Sequence, residues 1–243
     1  MSGSAQHDLP IIVGLPGFDG SGALFRQLQY ALPDTFEFRT VAYGDYASLN
    51  DYIEQAEAAV PPNRPVVLLA ESFSGPVALE LLARGQRQYV GAILCATFAQ
   101  PPLGLLVSLA HNLRLASFVL PPVSEQILRV FCLNGVDDIS QIRDVTSVVR
   151  QVGSRAIGSR LAALSEMNAT PLLTQLDTPV LLLRASQDRV VRSRYMAPLR
   201  EMLPDVREQV VDAPHLILQS APKRCAQIIT QFVDLITEPT NET

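Results

Sequence analysis

The stretch Val66-Val67-Leu68-Leu69-Ala70-Glu71-Ser72-Phe73-Ser74-Gly75-Pro76 decides the fold. Its first five residues form an apolar run without polar alternation, the pattern of a strand covered on both faces by helices. From Gly75 to Arg84 the spacing turns helical, so Ser72 stands in a tight turn between a buried strand and a helix. Residues two before and two after a serine held in such a turn come close together and must be small, and Ala70 and Ser74 meet that condition. The same serine would also suit an ordinary helix N-cap, so these residues alone leave capping and nucleophilic roles both open.

Outward from this turn, apolar runs of strand length recur at Ile11–Leu15, Phe36–Ala42, Ala92–Ala96, Val180–Arg184 and Glu208–Val211. Helical spacing fills Ala23–Leu32, Leu49–Val60, Arg194–Met202 and Ala221–Ile236. In the last of these Ile228, Ile229, Phe232, Leu235 and Ile236 make one apolar stripe, while Gln227, Gln231 and Asp234 face away. Strand alternating with helix predicts an α/β fold built on a mostly parallel, doubly wound sheet. Between Gln100 and Leu176 no strand is read, only helical patches at Leu103–Leu113, Glu125–Phe131 and Ile139–Val149. That is too long for a structureless loop in a compact domain. The expected organisation is a core of residues 1–99 and 177–243, with a helical cap subdomain, 100–176, inserted between strands.

Composition narrows the function classes. With 48% hydrophobic and 18% charged residues, a chain of 243 residues can bury a sizeable core. Its 19 Lys and Arg against 24 Asp and Glu leave a net charge of -5, so there is no basic field to hold a nucleic acid. Cys95, Cys132 and Cys225 are widely spaced and form neither a Cys-x-x-Cys pair nor a disulfide framework. The first ten residues lack the apolar centre of a signal peptide, and the longest apolar stretch, Phe98–Pro122, is interrupted by His111, Asn112 and Arg114. The expectation is a cytoplasmic protein with no metal, no cofactor, no membrane partner and no nucleic-acid partner.

A nucleophilic serine needs a base within hydrogen-bond reach, and the base needs an orienting carboxylate. Of the three histidines, His7 lies near the N-terminus and His111 in the inserted region, whereas His215 follows the last strand, at the end of a sheet where catalytic groups gather. Asp188 follows the strand at Val180–Arg184 and is the expected acid. Asp177 stands at the wrong end of that strand, and Asp212 is a rival only through its closeness to His215 in sequence. After the first strand comes Gly14-Leu15-Pro16-Gly17-Phe18-Asp19-Gly20-Ser21-Gly22, whose glycine spacing fits neither a dinucleotide fingerprint nor a phosphate loop. It suits an oxyanion loop, with the Phe18 N–H as one donor and the Phe73 N–H, next to Ser72, as the other.

These motifs, Leu15 to Gly22, Glu71 to Gly75, Gln187 to Val191 and Ala213 to Gln219, resemble those of the α/β-hydrolase superfamily over nearly the whole chain. In size and layout the sequence is similar to compact carboxylesterases of the pimeloyl-carrier-protein methyl ester esterase type. The order Ser72, Asp188, His215 is the chain order of that family's triad. The family's first loop commonly begins His-Gly, and here Pro16 takes the histidine's place. The resemblance implies an eight-stranded sheet, although only six strands are read here. A serine at 72 sets the chain apart from superfamily members that use an aspartate nucleophile, the haloalkane dehalogenases and epoxide hydrolases.

The implied activity is hydrolysis of a carboxylic ester through an acyl-enzyme, with a small-molecule substrate. Leu106 and Phe118, in an apolar part of the insert, are expected to line an acyl-binding wall. An acyl thioesterase is the alternative, with Arg184, Arg189, Arg192, Arg194 and Arg200 as a docking patch for an acyl carrier. A non-hydrolytic ligand-binding protein on the same fold is a third reading, and a homodimer through the cap is left open. If His215 is the base, activity should rise as its imidazole deprotonates near pH 6 to 7, about its unperturbed value of ~6.5.

Overall fold

A computed structural model describes residues 9–45, 48–101, 126 and 128–238. Six strands form one sheet: β1 (Ile11–Leu15), β2 (Phe38–Thr40), β3 (Val66–Glu71), β4 (Tyr89–Cys95), β5 (Val180–Ala185) and β6 (Val206–Val211). Their order is β2-β1-β3-β4-β5-β6, and every neighbouring pair is parallel. The winding reverses between β1 and β3, which makes the loops after these two strands the expected edge of a ligand crevice.

Among the described residues the helices are α1 (Arg26–Ala31), α2 (Leu49–Ala59), α3 (Gly75–Arg84), α4 (Ile139–Arg150), α5 (Ser154–Glu166), α6 (Ala197–Met202), α7 (Ile217–Ser220) and α8 (Pro222–Thr237). Alternate residues of each central strand enter different cores. Val66, Leu68 and Ala70 of β3 join one cluster with Tyr52 and Ile53 of α2 and Val77 and Leu81 of α3. Val67 and Leu69 join the other, with Leu28 of α1 and Ile228, Ile229 and Phe232 of α8. A strand buried on both faces has no polar side to display, which is why β3 and β5 read as continuous apolar runs.

The two edge strands depart from the expected boundaries. β2 is shorter than the run Phe36–Ala42, because it pairs only with β1 over Phe38–Thr40 and exposes Arg39 and Thr40. β6 starts earlier than Glu208, since Val206-Arg207-Glu208-Gln209 pairs with β5 from Val180 onward while its polar side chains meet solvent. Apolar run length finds central strands and blurs edge ones.

Within the stretch between β4 and β5, α4 is capped by Asp138, whose carboxylate accepts from the Ser140 and Gln141 amides. Its Ile142 and Val145 meet Leu24 and Leu133 in a small separate cluster. By contrast Ala163 and Leu164 of α5, with Met167, Leu173 and Leu176 after it, are part of the same core as β3 and α3. No helix among the described residues is long and apolar enough to cross a membrane.

Candidate active site

β3 ends at Glu71, and Ser72 takes a φ of 50°, in the left-handed region where a side chain costs about 1 kcal/mol or more. Neighbouring groups hold it there. Thr97, just past β4, donates its hydroxyl to the Ser72 carbonyl. A Cβ on Gly75 would lie 2.1 Å from Thr97 Oγ1, so only glycine allows the start of α3 to sit against that threonine. Neither the short turn Ser72–Ser74 nor α3 receives a side-chain cap, so the Ser72 hydroxyl is not used in capping. It lies 3.0 Å from His215 Nε2 instead.

His215 sits between β6 and α7, and its Nδ1 is 2.8 Å from Asp188 Oδ2. Asp188 uses both carboxylate oxygens. Oδ1 accepts from the Val190 and Val191 amides at 2.8 and 2.7 Å, so the residue caps its own turn and also orients the imidazole. The two side chains are only 6% and 3% exposed. Burial alone would lower the proton affinity of His215; the charge and hydrogen bond of Asp188, aided by the charge of Glu71, outweigh it and hold the pKa above the ordinary value. The rival acid is occupied elsewhere: Asp212 accepts from Ser186 Oγ at 2.6 Å and Gln187 Nε2 at 2.9 Å, bonds that hold its carboxyl below the usual range. His7 and His111 lie outside the described residues, as do Leu106 and Phe118.

The loop after β1 faces this group. Gly20 N–H donates to the Gly17 carbonyl at 3.0 Å, closing a turn with Phe18 and Asp19 at its centre. The rings of Phe18 and Phe73 meet edge to face with centroids 6.1 Å apart, and Phe73 also packs on Tyr43 and Tyr52. Thus the two residues expected to offer amides are joined through their side chains. Ser74, expected only to be small, does more. Its hydroxyl donates to the Pro16 carbonyl and accepts from the buried Tyr43 hydroxyl at 3.0 Å, tying the turn at Ser72 to the loop at Pro16.

Sequence reasoning missed three further residues. Thr97 carries no sign in the sequence of its bond to the Ser72 carbonyl. Arg160 of α5 is 3% exposed and reaches the carbonyls of Phe18 and Asp19. Glu71 is 1% exposed and directly precedes Ser72. Burial drives its pKa up to about 7, the charge of Asp19 adding to the rise while His215 and a hydrogen bond from Gln219 oppose it. Gln219 Nε2 donates to Glu71 Oε2 at 3.3 Å, and Oε1 has no partner among the described residues. A buried charged residue in a run of strand residues was the available signal, since burial of an acid is uncommon without a partner.

The arginines of the expected docking patch are partly engaged. Arg184 and Arg200 both pair with Glu208, Arg189 donates to the Val130 carbonyl, and Arg194 lies over the Tyr195 ring. Among the described residues no three His, Cys, Asp or Glu side chains gather to hold a metal ion, and all three cysteines are free.

Several solved structures share this architecture. A hydrolase from Oleispira antarctica superposes with a TM-score of 0.78 at 15% identity, over 93% of this chain and 91% of its own. A thermophilic esterase from Thermogutta terrifontis gives 0.75 at 18% identity, over 94% and 90%. An esterase from Exiguobacterium antarcticum gives 0.78 at 14% identity, over 93% and 92%. At these identities the likeness is one of fold. No curated protein sequence matches the chain. Residues 3–228 match the model of the alpha/beta hydrolase family, and with that match over most of its length the chain belongs to this family.

Proposed function

We propose that the protein is a serine hydrolase acting on a carboxylic ester. The observation that carries this reading is the pair of hydrogen bonds in series, Ser72 Oγ to His215 Nε2 at 3.0 Å and His215 Nδ1 to Asp188 Oδ2 at 2.8 Å. In the reaction His215 Nε2 takes the Ser72 proton as Oγ bonds to the substrate carbonyl carbon. The carbonyl π electrons move to oxygen, where the Phe18 and Phe73 amides donate to the developing charge. Collapse breaks the bond to the alcohol oxygen, and His215 returns the proton to the departing alcohol. Water, activated by the same imidazole, then attacks the acyl-enzyme, releasing the acid and restoring Ser72. Asp188 keeps a proton on Nδ1 and Nε2 free to accept one.

A thioester would be cleaved by the same groups. An oxyester is favoured because Arg184 and Arg200, which would recruit an acyl carrier, are paired with Glu208. Labelling with a fluorophosphonate and mapping the modified peptide tests the reading. Modification at Ser72, absent from Ser72→Ala, together with turnover of a p-nitrophenyl ester, is the expected result. A folded protein that neither reacts nor turns over an ester or thioester would return the fold to a binding role.

A further inference from the structure

We infer that Arg160 is a positioning residue for the hydrolysis proposed above, clamping the turn that carries the Phe18 amide from a helix of the inserted stretch; the inference rests on that reading. A guanidinium 3% exposed is costly to bury unless its donors are satisfied. Among the described residues no carboxylate lies within 4.0 Å of it to make an ion pair. Its terminal nitrogens are partnered by backbone carbonyls, while its buried Nε has no partner among the described residues. Nη1 donates to Phe18 O at 3.1 Å and to Asp19 O at 3.0 Å, and Nη2 reaches Tyr43 O at 3.5 Å.

The receiving turn is shaped for this group. Gly20 has a φ of 69°, and a Cβ there would lie 2.2 Å from Arg160 Nη2, so the guanidinium fills the space that a side chain would take. Tyr43 N–H donates to Gly20 O at 2.7 Å, which fixes the far side of the same turn. In a turn closed by Gly20 N–H to Gly17 O, the Phe18 carbonyl belongs to the central peptide, the one free to flip, and the Asp19 carbonyl to the peptide whose N–H makes the closing bond. Arg160 holds both. The peptide before them, Gly17–Phe18, bears the candidate donor, and its other flank is held by the Ser74 hydroxyl on Pro16 O. The arginine therefore fixes one side of the donor and the serine the other.

A mispositioned oxyanion donor weakens binding of the transition state more than binding of the ester. Hydrolysis of p-nitrophenyl butyrate by Arg160→Met should show kcat reduced about 10- to 100-fold, against the roughly 100- to 1,000-fold cost of removing a donor outright, with KM changed less than about threefold. Affinity for an alkyl trifluoromethyl ketone, whose hemiketal oxygen occupies the same place, should fall in parallel with kcat/KM. The acid limb of the pH profile should stay where it is, because Ser72, His215 and Asp188 are untouched. Arg160→Lys, which keeps the charge but reaches the carbonyls with a single ammonium, should show the same pattern at smaller amplitude, and it carries the test if the methionine variant does not fold. A folded variant with wild-type kcat overturns the inference, as does a loss of kcat with no loss of ketone affinity. Both results leave the ester reading standing if the wild type turns over and Ser72→Ala does not. An inactive wild type whose Ser72 resists fluorophosphonate overturns both.

Discussion

The turn at Ser72 and the loop from Pro16 to Gly22 face the same candidate site but are held by different means. The first is fixed from next door: Thr97, at the end of the adjacent strand, holds the Ser72 carbonyl and fills the space beside Gly75. The second is fixed from far along the chain, by Ser74 on Pro16 and by Arg160, 142 residues away, on Phe18. A constraint from an adjacent strand leaves a compositional trace, the requirement for small residues. A constraint from a distant helix leaves none.

Breaking the near support should have the largest effect. Gly75→Ala forces a methyl group onto Thr97 and should cost about 3 kcal/mol or more in a urea melt, with labelling of Ser72 slowed in whatever protein folds. An unchanged midpoint and labelling rate would mean that the turn can relax.

Glu71 lies where the two supports meet, 3.6 Å from where a Cβ of Gly17 would be. Its pKa is raised from 4.5 to about 7. Below pH 4.5 it is protonated folded and unfolded alike; between there and 7 the unfolded chain gives up the proton first, so stability falls as pH rises by up to roughly 3 kcal/mol and is flat above. Glu71→Gln should remove most of that fall when melts at pH 5 and pH 8 are compared. It should also lower the His215 pKa, because the Glu71 charge helps to raise it. Since the base must be neutral, the wild-type acid limb should lie above ~6.5 and the variant's lower. A limb that does not move would exclude Glu71 as an influence on the base.

The smallest effect is expected at the join. Ser74→Ala keeps the size that the turn needs and removes the bonds to Pro16 and Tyr43, so about 1 kcal/mol of stability and a few-fold of kcat should be lost. A loss as large as that of Arg160→Met would show that the loop depends on both flanks together.

All six strands were legible because a parallel sheet writes its interior as apolar runs, and the meeting of Ser72, His215 and Asp188 was legible because each follows the end of one of them. The edges of β2 and β6 were not, since their polar residues are those that a half-exposed strand keeps. Nor was α5 read as an element. Its sequence, SRAIGSRLAALSE, mixes arginines and a glycine among small residues, and nothing within it indicates that Arg160 is buried. The hydroxyl of Ser74 was read for its bulk alone, because its two partners come from other parts of the chain.

The sheet order also sets a problem of reach. β3 and β6 stand three strand spacings apart, about 14 Å at ~4.8 Å each, yet Ser72 and His215 touch. From Val211 to His215 the backbone covers at most about 14 Å when straight, and it bends at Asp212 and Ala213. The segment crosses laid against the end of β5, with Ser186 N–H on Val211 O and Gln187 N–H on Ala213 O, and the side chains span what remains. Length is thus as much a part of this segment's specification as its histidine: a gangway cut one plank short would leave the imidazole over β5, beside its aspartate and out of touch with the serine.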